Sequence, residues 1–559
     1  MAETFQRSVV YQIYPKSYCD SDGDGLGDLR GVIHRLDHVA KLGANYIWLN
    51  PFFVSPQKDN GYDVADYYNI DPAYGTMGDL DELIVAAQTK GIGLMFDMVF
   101  NHVSIEHEWF QKAIAGERKY QDYFIFREPK PDGSAPTNWV SKFGGSAWEY
   151  LPELGKYYLH LFDVTQADLN WENPELRAEL YKILDFWIAK GIKGFRFDVV
   201  NLISKEVYED DFEGDGRRFY TDGPRIHEFL QEMNQRTFGG HSDIITVGEM
   251  SSTSMEACYR YAGAKTEELS MVFNFHHLKV DFAGNEKWVI VPPDFAKLKR
   301  LLFSWQTNMA DNDAWNALFW CCHDQPRVVS RFGDEGEYWK HSAKMLGGIM
   351  HCLRGTPYVF QGEELGMTNA DYTSITQFND VESRNAYEIL LRKGVRAEDA
   401  LRIIQIHSRD NARTPMQWDD SANAGFSLPT NAAAPWLEVN TNYPQINASS
   451  QYDDEDSIFN FYRRLVALRK DSSAIAFGNI TPVFPEHEQV FAYERSVLGE
   501  QPERLLVVAN FYGYEASVET VGEMADAELL LTNYEQEPAS VQGGVLRPYE
   551  FQLWKLGAA

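Results

Sequence analysis

No apolar run in the chain reaches the ~18 residues that a membrane span requires, and the opening MAETFQRSVVYQIYPK lacks the long apolar stretch of a secretory leader. Basic residues are in short supply: 51 Lys and Arg stand against 82 Asp and Glu, a net charge of −31. That surplus excludes nucleic acid and anionic membrane as partners, because both need a basic footprint. It also repels an anionic substrate from any site that is not locally basic. Cysteine is scarce. Cys19, Cys258, Cys321, Cys322 and Cys352 are odd in number and lack metal-ligand spacing, so free thiols in a reducing compartment are expected. A cytoplasmic protein fits these absences. Internal repeats and low-complexity tracts are missing too, and no glycine-rich nucleotide loop follows the first strand-like run.

What is present is a long chain, 559 residues with 44% hydrophobic and 14% aromatic content, enough for several domains. The aromatics suit either a large core or a cleft that stacks on sugar rings. Eight β-rich runs recur: YQIYPKSY (11–18), YIWLNP (46–51), GLMFDMV (93–99), GFRFDVV (194–200), IITVGEM (244–250), LSMVFNF (269–275), ALFWCCHD (317–324) and TPYVFQGEE (356–364). Amphipathic helical stretches such as DLDELIVAAQTK separate them. Parallel strands need crossover helices, so this alternation predicts an α/β fold, a (β/α)8 barrel of the TIM type. An open doubly wound sheet is the rival, and the missing nucleotide loop weighs against it. Residues 103–168 are too long for one crossover and predict a small inserted domain, so the barrel runs over 1–102 and 169–479. From about 480 to 559 the pattern becomes alternating strands and predicts a C-terminal antiparallel β-sandwich.

Reactive groups of such a barrel lie at the C-terminal ends of its strands. Those ends carry Asp97 and His102, Arg196 and Asp198, Glu249, and His323 with Asp324. One acid at a strand end is usually a helix cap. Four on converging strands cost stability and need a function. Two facing carboxylates, one ionised and one protonated, are the equipment for cleaving a glycoside.

The motifs DMVFNH (97–102), GFRFDVVN (194–201), GEM (248–250) and CCHDQ (321–325) resemble the four signature regions of the α-amylase family, glycoside hydrolase family 13. QADLNWENP (166–174) resembles its fifth region in the oligo-1,6-glucosidase branch. The resemblance spans essentially the whole chain. It implies a retaining mechanism with Asp198 as nucleophile, Glu249 as general acid/base and Asp324 as the third carboxylate, which binds sugar hydroxyls. The two reacting carboxyls would lie ~5–5.5 Å apart. Arg196 would hold the nucleophile ionised, and neighbouring Asp198 and Asp324 would keep Glu249 protonated. His102 and His323 match the pair that hydrogen-bonds the cleaved sugar. Asp59 and Tyr62 of DNGYDV (59–64) match a group that closes the cleft behind one glucose. SRDNARTPMQW (408–418) supplies an arginine to pair with Asp59, Arg409 being favoured over Arg413. A closed end means removal of one terminal glucose.

DSDGDGLGDLRG (20–31) starts like an EF-hand, but Gly31 stands where the closing Glu belongs. It follows the first strand, where relatives in that branch hold one structural Ca2+ or Mg2+. Asp20, Asp22, Asp24 and Asp28 with the Leu26 carbonyl are the expected ligands, against a solvated acidic turn as the alternative. No cofactor is expected for the chemistry itself.

The branch cleaves several glucosides. Val199 beside the nucleophile is found in members that cleave bonds other than α-1,4, and QPRVVSRFGDEGEYW (325–339) departs from the arginine-rich loop of sucrose isomerases. FNFHHLKVD (273–281) places His276 and Lys279 where relatives acting on neutral sugars have acids. Two acids replaced by His and Lys reverse the local charge, which phosphate binding requires in a protein this acidic. That string and GDGRRFYTDGPR (214–225) resemble members acting on trehalose 6-phosphate, with Lys287 a further candidate for the phosphate. The resemblance therefore implies a monomeric hydrolase of a small phosphorylated disaccharide, releasing glucose and glucose 6-phosphate. A glucosidase for neutral isomaltose-type sugars is the alternative. A catalytically dead transporter heavy chain would need a membrane span and would usually have lost carboxylates that are all present here.

Overall fold

Buried along their whole length, most of the predicted runs show no alternation of apolar and polar faces, as parallel strands covered on both sides require. In the computed structural model, which describes residues 5–499, 502–519, 527–536 and 544–557, these strands build the central barrel. They are β1 (Val10–Ile13), β2 (Tyr46–Leu49), β3 (Gly93–Met98), β4 (Gly194–Phe197), β5 (Ile245–Glu249), β6 (Met271–Phe273), β7 (Ala317–Leu318) and β8 (Thr356–Phe360). Their order in the sheet is β6-β5-β4-β3-β2-β1-β8-β7, with every pairing parallel. A parallel bridge between Val272 and Asn316 joins β6 to the entry of β7 and closes the ring. β7 is shorter than ALFWCCHD suggests. After Leu318 the chain leaves the ladder, and His323 and Asp324 sit in a turn where the Asp324 N–H meets Cys322 Sγ at 3.4 Å.

The crossover helices start and stop on local signals. Helix α1 (Met77–Thr89) begins at a capping box in which Thr76 and Asp79 satisfy each other's backbone N–H. Helix α2 (Pro174–Lys190) has the Asn173 side chain as its N-cap and Pro174 in its first turn, and it ends at Gly191 in the left-handed conformation. Its inner face buries Leu180, Leu184 and Trp187, each contributing roughly 1.5–3 kcal/mol by leaving water.

The chain leaves the barrel at 102–104 and returns at 166–168, and these two segments pair antiparallel with His102 opposite Asp168. Between them lies a three-stranded antiparallel sheet (Phe126–Arg127, Trp148–Leu151, Lys156–Leu159). Its own core, built on Trp139, Trp148, Leu159 and Leu161, also takes in Val199, Leu202 and Tyr220 from the barrel loop after β4. The insert and the loop after β4 therefore share a core.

The C-terminal strands are β9 (Asn479–Val483), β10 (Val490–Val497), β11 (Glu503–Asn510), β12 (Ala516–Val518), β13 (Glu528–Thr532), β14 (Gly544–Leu546) and β15 (Phe551–Lys555). A five-stranded antiparallel sheet, β9-β10-β11-β15-β13, faces the β12-β14 pair across Val490, Leu506, Val508, Ala516, Leu546 and Trp554. Its other face packs on the barrel, with Phe491 stacked on Phe303 at 4.8 Å. Among the described residues no helix is long and apolar enough to cross a membrane.

Candidate active site

Arg196 is buried, and its guanidinium is the centre of the site. β4 lies between β3 and β5, with Arg196 beside Asp97 and Phe197 beside Gly248, so Asp97, Asp198 and Glu249 crowd around one cation. Nη1 donates to Asp97 Oδ1 and to Asp198 Oδ1, each at 2.7 Å, and Nη2 contacts Glu249. Asp97 also accepts from Trp48 Nε1 at 3.2 Å and from the Tyr62 hydroxyl at 2.9 Å. Burial still pushes its carboxyl up to about 7, with Arg196 opposing and Asp198 adding to the shift. The sequence suggested Asp198 and Asp324 as charged neighbours of Glu249; the structure adds Arg196, whose guanidinium touches both Asp198 and Glu249. Val199, next to Asp198, sits at φ +36°, a left-handed conformation rare for a β-branched residue. Its packing into the core of the insert holds that turn.

His323 and His102 line the next layer. Gln12 Nε2 donates to His323 Nδ1 at 2.9 Å, which leaves Nε2–H to face Asp324 Oδ2 at 3.0 Å and the Tyr62 hydroxyl at 2.7 Å. Tyr62 stacks on His323 with rings 5.3 Å apart and 6° from parallel. Burial lowers the pKa of both His102 and His323, so both rings are neutral near pH 7. Behind His102 lie three residues that sequence reasoning did not single out. Gln166 Nε2 lies 3.2 Å from His102 Nε2 and donates to Asp59 Oδ2 at 3.1 Å. Lys205, fully buried, pairs with Asp168 at 3.0 Å and donates to Asn101 Oδ1 at 2.8 Å. The only signal for Gln166 and Asp168 was the QADLN motif; Lys205 gave none.

At the closed end Arg409 is 3.8 Å from Asp59, but its tighter partner is Asp380 at 2.6 Å, and it also donates to Asp324 at 3.1 Å. With Glu382 at 3.6 Å, the expected Arg409–Asp59 pair is thus the longest of four contacts. Asp380 escaped notice because it is also a helix N-cap, accepting from Glu382 and Ser383 backbone N–H, the bland reading of such a residue. Arg413 belongs to the site too, donating to Asp324 Oδ1 at 3.1 Å and to the His323 carbonyl at 2.8 Å. Burial works to raise the Asp324 carboxyl, yet His323, Arg409 and Arg413 together hold it well below the usual carboxylate range. Burial pushes Asp59 up to about 7 against the pull of Arg409 and Arg413.

The three phosphate candidates separate. Lys287 is 2.8 Å from Glu382, a carboxylate that also stands 3.6 Å from Arg409. His276 Nε2 bonds the Thr253 carbonyl at 3.0 Å, and burial together with Lys279 lowers its pKa, which leaves it a neutral donor. Lys279 stands just past the short helix His276–Leu278, and among the described residues no hydrogen bond or ion pair reaches its ammonium.

Residues 12–478 match the family described as "Alpha amylase, catalytic domain". The chain belongs to the α-amylase family. It is 51% identical over 552 residues to the trehalose-6-phosphate hydrolase of Escherichia coli (strain K12), covering 98% of each chain. It is 44% identical to an oligo-1,6-glucosidase of Bacillus cereus, covering 99% of each. The solved trehalose-6-phosphate hydrolase of Bacillus licheniformis superposes with a TM-score of 0.94 at 49% identity, over 99% of this chain and all of that one. As a member of the α-amylase family the chain is a glycoside hydrolase acting on a small sugar.

The acidic loop after β1 brings carboxylate oxygens of Asp20, Asp22 and Asp28 within 4.8 Å of one another; exposed Asp24 is outside that group. Backbone N–H groups hold the three in place: Gly23 and Gly25 donate to Asp20 at 2.6 and 3.1 Å, Ser21 and Gly31 to Asp28 at 2.7 Å, and Asp24 to Asp22 at 3.1 Å. Asp24 instead accepts from the Leu26 N–H at 2.8 Å. Gly25 is needed at φ +94°, where a Cβ would come within 2.3 Å of the Ala434 carbonyl. The loop is thereby fastened to 426–436, beyond the segment bearing Arg409 and Arg413.

Proposed function

We propose that the chain hydrolyses trehalose 6-phosphate to glucose and glucose 6-phosphate with retention of configuration. The observation that carries this reading is Lys279, a cation with no carboxylate partner among the described residues, in a protein of net charge −31. The identity to the Escherichia coli trehalose-6-phosphate hydrolase supports it.

In this reading the terminal glucose enters the closed pocket formed by Asp59, Tyr62, His102, His323, Asp324 and Arg409. Asp198 attacks its anomeric carbon while Glu249 protonates the glycosidic oxygen, and glucose 6-phosphate leaves. Arg196 orients Asp198 through its hydrogen bond to Oδ1. Its contact with Glu249 in the free enzyme has to yield to the glycosidic oxygen for Glu249 to carry a proton. Water activated by Glu249 then frees the glucose. Asp20, Asp22 and Asp28 would hold one Ca2+ or Mg2+, since an all-oxygen donor set suits a hard cation. Its contribution would be rigidity of the loop and of 426–436. Five buried free thiols suit a reducing cytoplasm.

The test is to measure kcat/KM of one preparation on trehalose 6-phosphate and on isomaltose. A preference of at least tenfold for the phosphorylated sugar is expected; a preference for isomaltose contradicts the proposal and leaves a neutral-sugar glucosidase.

A further inference from the structure

Lys279 is not alone at the outer end of the cleft. Lys142 reaches in from the insert and donates to Ser251 Oγ at 3.1 Å, two residues past Glu249. The neighbouring Phe143 lies under the Arg409 guanidinium at 5.6 Å, so the dipeptide straddles the glucose pocket and the region beyond it. Arg217 comes from the loop after β4. It pairs with Asp215 at 2.9 Å and remains half-exposed. Burial and the positive charges of Arg217 and Lys279 lower Lys142 to about 7, while Asp215 and Asp168 oppose them. Burial and Arg217 likewise lower Lys279.

The loop that carries Arg217 is built in place. Trp139 Nε1 donates to the Glu209 carbonyl at 2.8 Å, Asn138 exchanges two hydrogen bonds with Asp211, and the Val140 N–H donates to the Asp215 carbonyl at 3.0 Å. Gly216, at φ +97°, packs so closely on Trp139 that a Cβ would come within 2.4 Å of the indole. Lys142 also lines a groove of about 600 Å3 with Phe143, Trp288 and Glu382. Lys142, Arg217 and Lys279 repel one another as like charges, and of the two carboxylates that oppose them at Lys142 Asp215 is paired with Arg217 and Asp168 with Lys205, in a chain where acids outnumber bases. An anion between them removes that cost.

We propose that Lys142 and Arg217 complete, with Lys279 and the Ser251 hydroxyl, a pocket for the phosphate of the substrate. The inference rests on the reading that the substrate is a sugar phosphate. It assigns two specificity-determining residues to segments outside the barrel strands, one in the insert and one in the loop stapled to it.

Glucose 6-phosphate, the product carrying the phosphate, is the probe. Its inhibition constant is measured against hydrolysis of a neutral aryl α-glucoside, for the parent enzyme and for R217Q and K142Q. Arg217 is exposed, so R217Q tests the proposal even if K142Q fails to fold, and the melting temperature of each variant reports folding. Loss of about tenfold or more in affinity for glucose 6-phosphate in R217Q, with a matching rise in KM for trehalose 6-phosphate, is expected. Equal inhibition of parent and R217Q overturns the proposal while the substrate reading stands. A parent enzyme that neither cleaves trehalose 6-phosphate nor is inhibited by glucose 6-phosphate overturns both.

Discussion

The two ends of the cleft handle charge in opposite ways. Around the glucose pocket every charge is answered: Arg196 by Asp97, Asp198 and Glu249, and Arg409 and Arg413 by Asp324 and Asp380. At the outer end Lys142, Lys279 and Arg217 have Asp215, paired with Arg217, and Asp168, which acts on Lys142 but is already paired with Lys205. A balanced set of buried charges orients groups for chemistry and suits a neutral sugar ring. An unbalanced set waits for its counterion from outside. The proposed function puts catalysis at the first end and substrate choice at the second, so substitutions at the two ends should behave differently.

The chemical end should break hardest. Asp198→Asn should abolish turnover on every substrate, because no glycosyl-enzyme forms without the carboxylate. Glu249→Gln should lose about 10²–10⁴-fold on the natural glycoside. It should keep much more activity on an aryl glucoside whose leaving group needs little protonation. Near-normal rates of both variants on the disaccharide would remove the two roles.

The hinge between the ends comes next. Lys205→Met strips Asp168 of its buried cation, and breaking such a pair costs about 3–5 kcal/mol. A clear fall in melting temperature is expected, together with a raised KM on neutral and phosphorylated substrates alike, since Asn101 and His102 lose their backing. A change confined to the phosphorylated substrate would place Lys205 at the wrong end.

pH sharpens the contrast. Lys142 is lowered to about 7, and phosphate binds its charged form, so that contribution is complete below pH 7 and fades above it, by up to about tenfold per pH unit. The groups acting on it are Arg217 and Lys279, which lower it, and Asp215 and Asp168, which raise it. Phosphate monoesters, with a second pKa near ~6, are already dianionic there and do not weaken in the same range. KM for trehalose 6-phosphate should rise between pH 7 and 9 relative to KM for a neutral aryl glucoside. Parallel profiles for the two substrates would contradict the assignment.

Metal removal should act least on the chemistry. Exhaustive chelation is expected to lower the melting temperature, because an ion bound only by the folded state stabilises it by mass action. The two-substrate ratio should stay where it was. No metal by elemental analysis and no thermal shift would leave 20–31 as an acidic turn.

Much of the barrel was legible because its strands are continuous apolar runs and its acids fall at strand ends, a pattern that period and position reveal without coordinates. Asp198, Glu249 and Asp324 stood out in that way. The partners of these residues did not. Asp380 looks like any N-cap, Lys205 like any surface lysine, and Lys142 lies in a glycine-rich stretch with no periodicity. Their meaning arises from contacts across long separations, 29 residues from Asp380 to Arg409 and 109 from Lys142 to Ser251, which a linear reading does not order. Charge replacement at Lys279 was visible in the sequence; the pairing of Lys287 with Glu382 was not.

The central claim is that the outer cations choose the substrate without taking part in the reaction. Lys279→Glu, measured on trehalose 6-phosphate and on a neutral aryl α-glucoside, tests it most directly. A charge-assisted contact of ~1.5–3 kcal/mol predicts a loss of about ten- to a hundredfold in kcat/KM on the phosphorylated substrate, more with the added negative charge. Activity on the aryl glucoside should stay within a few fold. An equal loss on both substrates would make Lys279 a structural residue, and no loss on either would contradict the account.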